Sequence, residues 1–376
     1  MIVSLFGTEK NNRLKGCENI LFLLMEMLNT AVKERAADIF ISAGAPVTFR
    51  KSGKLEYNTD YKIDDNVSKD IIESLYLMAG RSMDKLKEYL NDDFSLSVNG
   101  LSRFRINTYM QRGTFAAVIR TIPFGIPDYR ELNIPESVMT AANRNRGLVI
   151  VAGPAGGGKT TTLACIIDRI NSIREGHIIT LEDPIEFLHT NKKSIVSQRE
   201  MGVDADSYLT SLRACMRQSP DVILVGEMRD YETIQTCITA AETGHLVIST
   251  LHTIGVANTI DRIIDIFPAT QQQQIRIQLA MVLQTIISQQ MIPTIDGKNI
   301  PVFEVINLNN AVRNMIRESK IHQIDSIITS NTSDGLIGMD KQILELVQKG
   351  IVTSENALLY ASNTEFMKKN LKNSLK

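Results

Sequence analysis

The sequence predicts an α/β chain, in which a domain built on a parallel sheet follows a smaller α+β domain and precedes a helical C-terminal region. Three observations predict it. Apolar runs at 148–151, 178–181, 222–225 and 246–249 do not alternate and are separated by helical segments, as expected of parallel strands covered on both faces. The first third reads instead as short alternating strands broken at glycine turns, which suits an antiparallel sheet. Between the two, Pro123, Gly125 and Pro127 crowd into five residues, a density of breakers that suits a linker.

A length of 376 residues exceeds what one core usually supports, so the expected division is 1–123, a linker at 124–127, a core at 128–305 and a helical region at 306–376. Hydrophobic residues at 43% and charged residues at 22% exclude a disordered, fibrous or membrane-embedded chain. Lys+Arg (41) and Asp+Glu (42) nearly cancel, so no global field draws the chain to nucleic acid, and none is expected as a partner. Cys17, Cys165, Cys215 and Cys237 are dispersed without a CxxC pair, which argues against a zinc ribbon or disulfide framework and for a reducing cytoplasm. The apolar run 20–28 contains Glu26 and falls short of the roughly 18 residues a membrane span needs. It reads as an amphipathic or buried helix, and a membrane would be met only through a partner.

In order, the pattern predicts a helix over 18–33 and strands at 38–42, 47–50 and 54–57, the last two joined across Ser52-Gly53. One or two helices follow over 68–90, then strands at 94–98, 103–110 and 114–121, broken at Asn99-Gly100 and Gly113. The segment from 310 onward reads as helical with no second sheet, and Gln271–Gln274 as a solvated helix face.

The chemistry is concentrated after the apolar runs. Residues 153–160, Gly-Pro-Ala-Gly-Gly-Gly-Lys-Thr, match GxxxxGK[ST] between a strand and a helix that begins near Thr161. Gly153 and Gly158 let the backbone fold back so that its N–H groups reach phosphate oxygens, with Pro154, Ala155, Gly156 and Gly157 between them. Lys159 supplies a cation for the β/γ-phosphates and the Thr160 hydroxyl a ligand for Mg²⁺, so ATP and Mg²⁺ are the expected cofactors. A glycine-rich turn with a surface lysine is the alternative; the strand before and helix after favour the cradle.

Asp221-Val222-Ile223-Leu224-Val225-Gly226-Glu227 is an apolar strand ending in a carboxylate, which places Glu227 as a candidate for Mg²⁺ and water across from Thr160. Glu182 ends another strand in Glu182-Asp183-Pro184-Ile185-Glu186 and is the candidate for orienting or deprotonating the attacking water; a capped turn is the plainer reading. His245 and His252 bracket a fourth strand and together, at the edge of that sheet, are candidates for sensing the γ-phosphate. His177, His189 and His322 receive no role.

Taken in order, the 153–160 loop, the Glu182–Phe187 box, Val225-Gly226-Glu227-Met228-Arg229-Asp230 and the segment from Thr243-Gly244-His245 to His252-Thr253 resemble the secretion ATPase superfamily. Its type II secretion and type IV pilus branch is marked by Walker A, Asp, Walker B and His boxes. Ala311-Val312-Arg313-Asn314-Met315-Ile316-Arg317-Glu318 is similar to a signature of the pilus retraction (PilT) family, and the likeness runs from about Ala37 to Ser330. The resemblance implies a PAS-like N-terminal domain and a RecA-like P-loop NTPase domain in a homohexamer peripheral to the cytoplasmic face of the inner membrane. That ring would grip a polytopic platform protein, and a PilU-like accessory ATPase is a further candidate partner. By family position Arg105, Arg112 and Arg120 are candidates to reach a γ-phosphate across a ring interface; exposed strand arginines without a partner are the plainer reading.

Ala155 and Gly157 depart from the family's usual Thr and Ser, and Gln218 stands where PilT-type retraction ATPases tend to have Glu, resembling instead the assembly ATPases and PilU. Residues before about Leu21 exceed the usual start. The leading expectation is an ATPase that drives pilus retraction and twitching. Assembly or secretion ATPases of the same superfamily, a nucleic-acid translocase and a non-catalytic ring member are the alternatives.

Overall fold

The computed structural model describes residues 13–51, 53–122, 125–330 and 336–374; Pro123, Phe124 of the expected linker, Ser52 of the expected turn and the first twelve residues lie outside them. The chain forms two compact units, Met1–Phe124 and Gly125–Lys376.

In the first unit, α1 (Arg13–Lys33) buries Leu24, Met27, Leu28 and Ala31, a spacing of three and four that makes one apolar face. The strands are β1 (Asp38–Ser42), β2 (Thr48–Lys51), β3 (Lys54–Tyr57), β4 (Asn91–Val98), β5 (Ser102–Gln111) and β6 (Thr114–Ile122). They pair antiparallel in the order β3-β2-β1-β6-β5-β4. Helices α2 (Asp65–Met78) and α3 (Asp84–Tyr89) divide the 68–90 stretch, and the Asp64 side chain caps α2 by accepting from Val67 N at 2.9 Å. The buried Asp92 carboxylate is tolerated because Tyr76 Oη, Arg81 and Lys85 all reach it, at 3.1, 3.2 and 3.2 Å.

The second unit is built on β7 (Gly147–Ala152), β8 (Gly176–Glu182), β9 (Ser194–Glu200), β10 (Val222–Val225), β11 (Leu246–Leu251), β12 (Leu283–Pro293) and β13 (Asn299–Asn307). Their order is β13-β12-β7-β11-β10-β8-β9, with every pair parallel except the β12–β13 hairpin. The lack of alternation in β7 has a direct cause: Leu148, Ile150 and Ala152 enter one core while Val149 and Val151 enter another on the opposite face. The helices are α4 (Glu136–Met139), α5 (Lys159–Ile173), α6 (Tyr208–Cys215), α7 (Tyr231–Glu242), α8 (Val256–Asp265) and α9 (Ala269–Val282). After β13 come α10 (Asn310–Arg317), α11 (Ile324–Ser330), α12 (Met339–Gln348), α13 (Ser354–Tyr360) and α14 (Thr364–Ser374). Among the described residues no helix is long and apolar enough to cross a membrane, and Cys165, Cys215 and Cys237 are free and buried.

Three strands extend the sheet beyond the four apolar runs, and one makes it mixed. β12 carries buried Ser288, Gln289 and Gln290, which hide a core strand from any reading based on apolarity. β9 is a half-buried edge strand whose burial does not alternate.

Beside β12, the start of α8 is fixed by two contacts: Gly255 N donates to Ser288 Oγ at 2.8 Å and Val256 N to Glu304 Oε1 at 2.7 Å. Burial, aided by the nearby Asp325 and Asp340, pushes the Glu304 carboxyl up from 4.5 to about 7, against the opposing pull of the Val256 N–H. A carboxyl raised by folding contributes stability that is fully present below its unfolded value and lost as pH rises through its folded one. Glu304 therefore removes up to about 3 kcal/mol between about pH 4.5 and 7. Glu304→Gln protein, compared with the parent by urea unfolding on both sides of that window, is expected to lose less stability on going to the higher pH; an unchanged difference would sink this account.

Candidate nucleotide site

At the end of β7 the chain must turn sharply, and two atoms of one neighbour, Gln289, decide which residues can make the turn. A Cβ at Gly153 (φ 152°) would lie 2.1 Å from the Gln289 carbonyl oxygen, and one at Gly158 (φ 82°) 2.8 Å from Gln289 Nε2. Both positions require glycine. Gly153 N donates to Leu251 O at 3.1 Å and Gly157 N to Pro154 O at 3.1 Å, while Ala155 and Gly156 stay exposed at the rim. Gly158 is the N-cap of α5, so the loop ends on the positive end of a helix of 15 residues.

Lys159 is buried, and its ammonium donates to the carbonyls of Gly153 and Pro154 at 2.8 and 2.9 Å. Burial lowers its pKa, partly offset by Glu227. The next strand end brings Glu227 into the same group: its carboxylate pairs with Arg229, and Oε2 lies 3.4 Å from His252 Nε2. His252 Nδ1 is in turn 3.4 Å from Lys159 Nζ, so cation, imidazole and carboxylate form one chain of contacts drawn from the ends of β7, β10 and β11. Thr250 Oγ1, donating to Gly226 O at 2.6 Å, ties the last two strand ends together.

Glu182 completes the edge from β8. It is buried, and its Oε1 accepts from Thr180 Oγ1 at 2.6 Å and Gln198 Nε2 at 3.0 Å. Burial raises its pKa against both bonds. Lys159, Thr160, Glu182, Glu227 and His252 line one cavity of about 260 Å³. The half-buried Thr161 follows Thr160 on α5.

The structure separates two residues expected to act together. His245 precedes β11 and His252 follows it, so the six-residue strand, at roughly 3.3 Å per residue, holds them at opposite edges of the sheet. His245 Nδ1 sits 3.0 Å from Ala240 O at the end of α7, away from the cavity-lining residues. The two histidines bracket β11 as expected, and of the pair only His252 lines the cavity. Arg105 and Arg120 lie on β5 and β6 of the first unit and Arg112 in the turn between them, with φ 50°. Arg120 Nε donates to Asp38 Oδ1 at 3.0 Å and Arg105 lies 3.9 Å from Asp93, so neither is a partnerless strand arginine.

Several cavity residues escaped sequence reasoning. Tyr208 lines it from α6, its hydroxyl 2.7 Å from where a Cβ on Gly226 would sit, and burial raises its pKa. His189, read as having no role, also lines it, and burial pushes its imidazole down to about 4, leaving it neutral. Arg229, which pairs with Glu227 without lining the cavity, stands two residues after it in sequence and was given no role. Tyr208 and His189 gave no signal because the start of α6 and the segment before β9 meet the site only through the fold.

A glycine loop between a central parallel strand and a helix, with a lysine and strand-end carboxylates gathered beyond it, defines the class as a P-loop ATPase. Comparison with known proteins narrows it. The profile described as Type II/IV secretion system protein matches residues 13–326. The chain is 41% identical over 335 residues to the Pseudomonas aeruginosa protein named Type IV pilus retractation ATPase PilT, covering 89% of this chain and 96% of that one. To the Type IV pilus ATPase PilU of the same organism it is 35% identical over 339 residues, covering 90% and 88%. The crystal structure of the pilus retraction motor PilT with bound ADP superposes with a TM-score of 0.85 at 41% identity, covering 92% of this chain and 98% of that one. The chain belongs to the type II/IV secretion system protein family.

Proposed function

We propose that this chain hydrolyses ATP as the subunit of a homohexameric motor that retracts type IV pili and so powers twitching motility. The observation that carries this reading is the Lys159–His252–Glu227 cluster beside the glycine loop, in a chain whose likeness to PilT spans nearly all of both proteins. The motor works at the cytoplasmic face of the inner membrane against a polytopic platform protein.

Loop N–H groups and the α5 terminus bind the phosphates, and Lys159 exchanges the Gly153 and Pro154 carbonyls for β/γ-phosphate oxygens. The anion restores the charged form that burial disfavours. The Thr160 hydroxyl and Glu227 carboxylate are hard oxygen donors on one cavity, a set that fits Mg²⁺, which keeps several waters and takes few protein ligands beside phosphate. When bound, Mg²⁺ neutralises charge that builds on the phosphate oxygens during transfer. Glu182, whose pKa burial raises, orients the attacking water and takes its proton, while His252 relays the state of Glu227. Arg105, Arg112 and Arg120 serve a neighbouring subunit's phosphates across a head-to-tail ring contact. His245, at the far end of β11, acts through the subunit contact rather than on its own nucleotide.

Deleting the gene tests the direction of work. Hyperpiliated cells that do not twitch are expected, and bald cells would instead make this an assembly motor. Gln218 and the likeness to PilU favour one second reading, an accessory retraction motor, in which deletion leaves piliation near normal and weakens only retraction under load.

A further inference from the structure

Gln289 lies 127 residues from Thr162 in sequence, yet its side chain sits directly under the loop. In the β12–β7 ladder Ser288 pairs with Ala152, so Gln289 is the first residue beyond the last paired position, beside Gly153 where the loop departs. It is 2% exposed. Its carbonyl oxygen occupies the space a Cβ at Gly153 would need, its Nε2 that of a Cβ at Gly158, and its Oε1 accepts from Thr162 Oγ1 at 2.7 Å. One residue thus touches the first glycine, the last glycine and the first turn of α5. Residues 153–158 carry no polar side chain of their own, and three of them in succession are glycine, the residue that loses most freedom on ordering.

We infer that Gln289 is a positioning residue for nucleotide binding: it holds the glycine loop and the start of α5 in the spacing at which their N–H groups converge on phosphate. The inference rests on the ATPase reading above. β12 is paired on both sides, to β7 and β13, so it offers a rigid floor, whereas the loop by itself is held by few bonds. Anchoring the loop before the ligand arrives removes an ordering cost from binding. A purely structural role for the Thr162–Gln289 bond would affect unfolding and leave affinity alone.

The test measures ADP affinity by calorimetry with Mg²⁺ present on the full-length protein, alongside thermal unfolding. Thr162→Val and Gln289→Met, which remove the bond and keep the shape, are each expected to weaken ADP binding about five- to tenfold. Thr162→Ser, which keeps the hydroxyl, is expected to stay within about twofold of the parent, and the double variant to lose no more than about twofold beyond either single change. Folded Thr162→Val or Gln289→Met protein with the parent's affinity overturns the inference, as do losses that multiply in the double variant. If Gln289→Met does not fold, the contrast between valine and serine at 162 decides alone. A parent that binds no ADP overturns the ATPase reading and this assignment with it, whereas a parent that binds as well as its variants overturns this assignment only.

Discussion

Glu227→Ala protein is expected to bind ATP about as tightly as the parent and to release phosphate at less than roughly one-hundredth of the parent rate. The two effects separate because different atoms are responsible. Phosphate binding draws on the loop N–H groups, the α5 terminus and Lys159, all of which remain. Glu227 stands at the end of β10 with its carboxylate held by Arg229 and within 3.4 Å of His252, poised over the cavity rather than within the loop. Groups that act only as charge develops or a proton moves lower the turnover number, not the affinity. Steady-state phosphate release beside an equilibrium binding curve checks both halves; turnover at the parent rate would show that Glu227 has been misassigned.

Gly153→Ala protein is expected to lose about 2–4 kcal/mol of stability and at least about 100-fold in nucleotide affinity. The added Cβ meets a backbone oxygen at 2.1 Å, and that oxygen belongs to a strand paired on both sides, so neither partner can yield cheaply. Gly156→Ala is the control. At φ 73° it carries strain of about 1 kcal/mol, but nothing lies within 4 Å of its Cβ, so its effect is expected to be much the smaller. Thermal unfolding and ADP titration of the pair decide the matter: equal effects at 153 and 156 would mean that the packing of Gln289 against the loop does not govern its shape.

Legibility of the site in the sequence followed chain distance. Lys159, Thr160, Glu182, Glu227 and His252 were readable because each stands at or just after the end of an apolar strand, and parallel strands deliver their C-terminal ends to one edge. The same reasoning separates His245 from His252, since a strand that brings one end to the ligand necessarily carries its other end away. Gln289 and Tyr208 were invisible: a buried glutamine within Ile-Ile-Ser-Gln-Gln looks like a break in a strand, and a tyrosine on a short helix looks like packing.

The sequence by itself determined the P-loop that defines this protein, and with it the α/β class. That information is local: glycine at positions of positive φ, a lysine one residue on, and a strand and helix on either side need no distant partner to be recognised. Only the tertiary structure decided what makes those glycines obligatory, which histidine faces the site and how the sheet is completed. The histidines are set by the two ends of β11; the glycines and the sheet depend on β12, which lies more than a hundred residues downstream and whose buried polar side chains find partners far apart in sequence, Gln289 on Thr162, Ser288 on Gly255 N and Thr285 on Asn307.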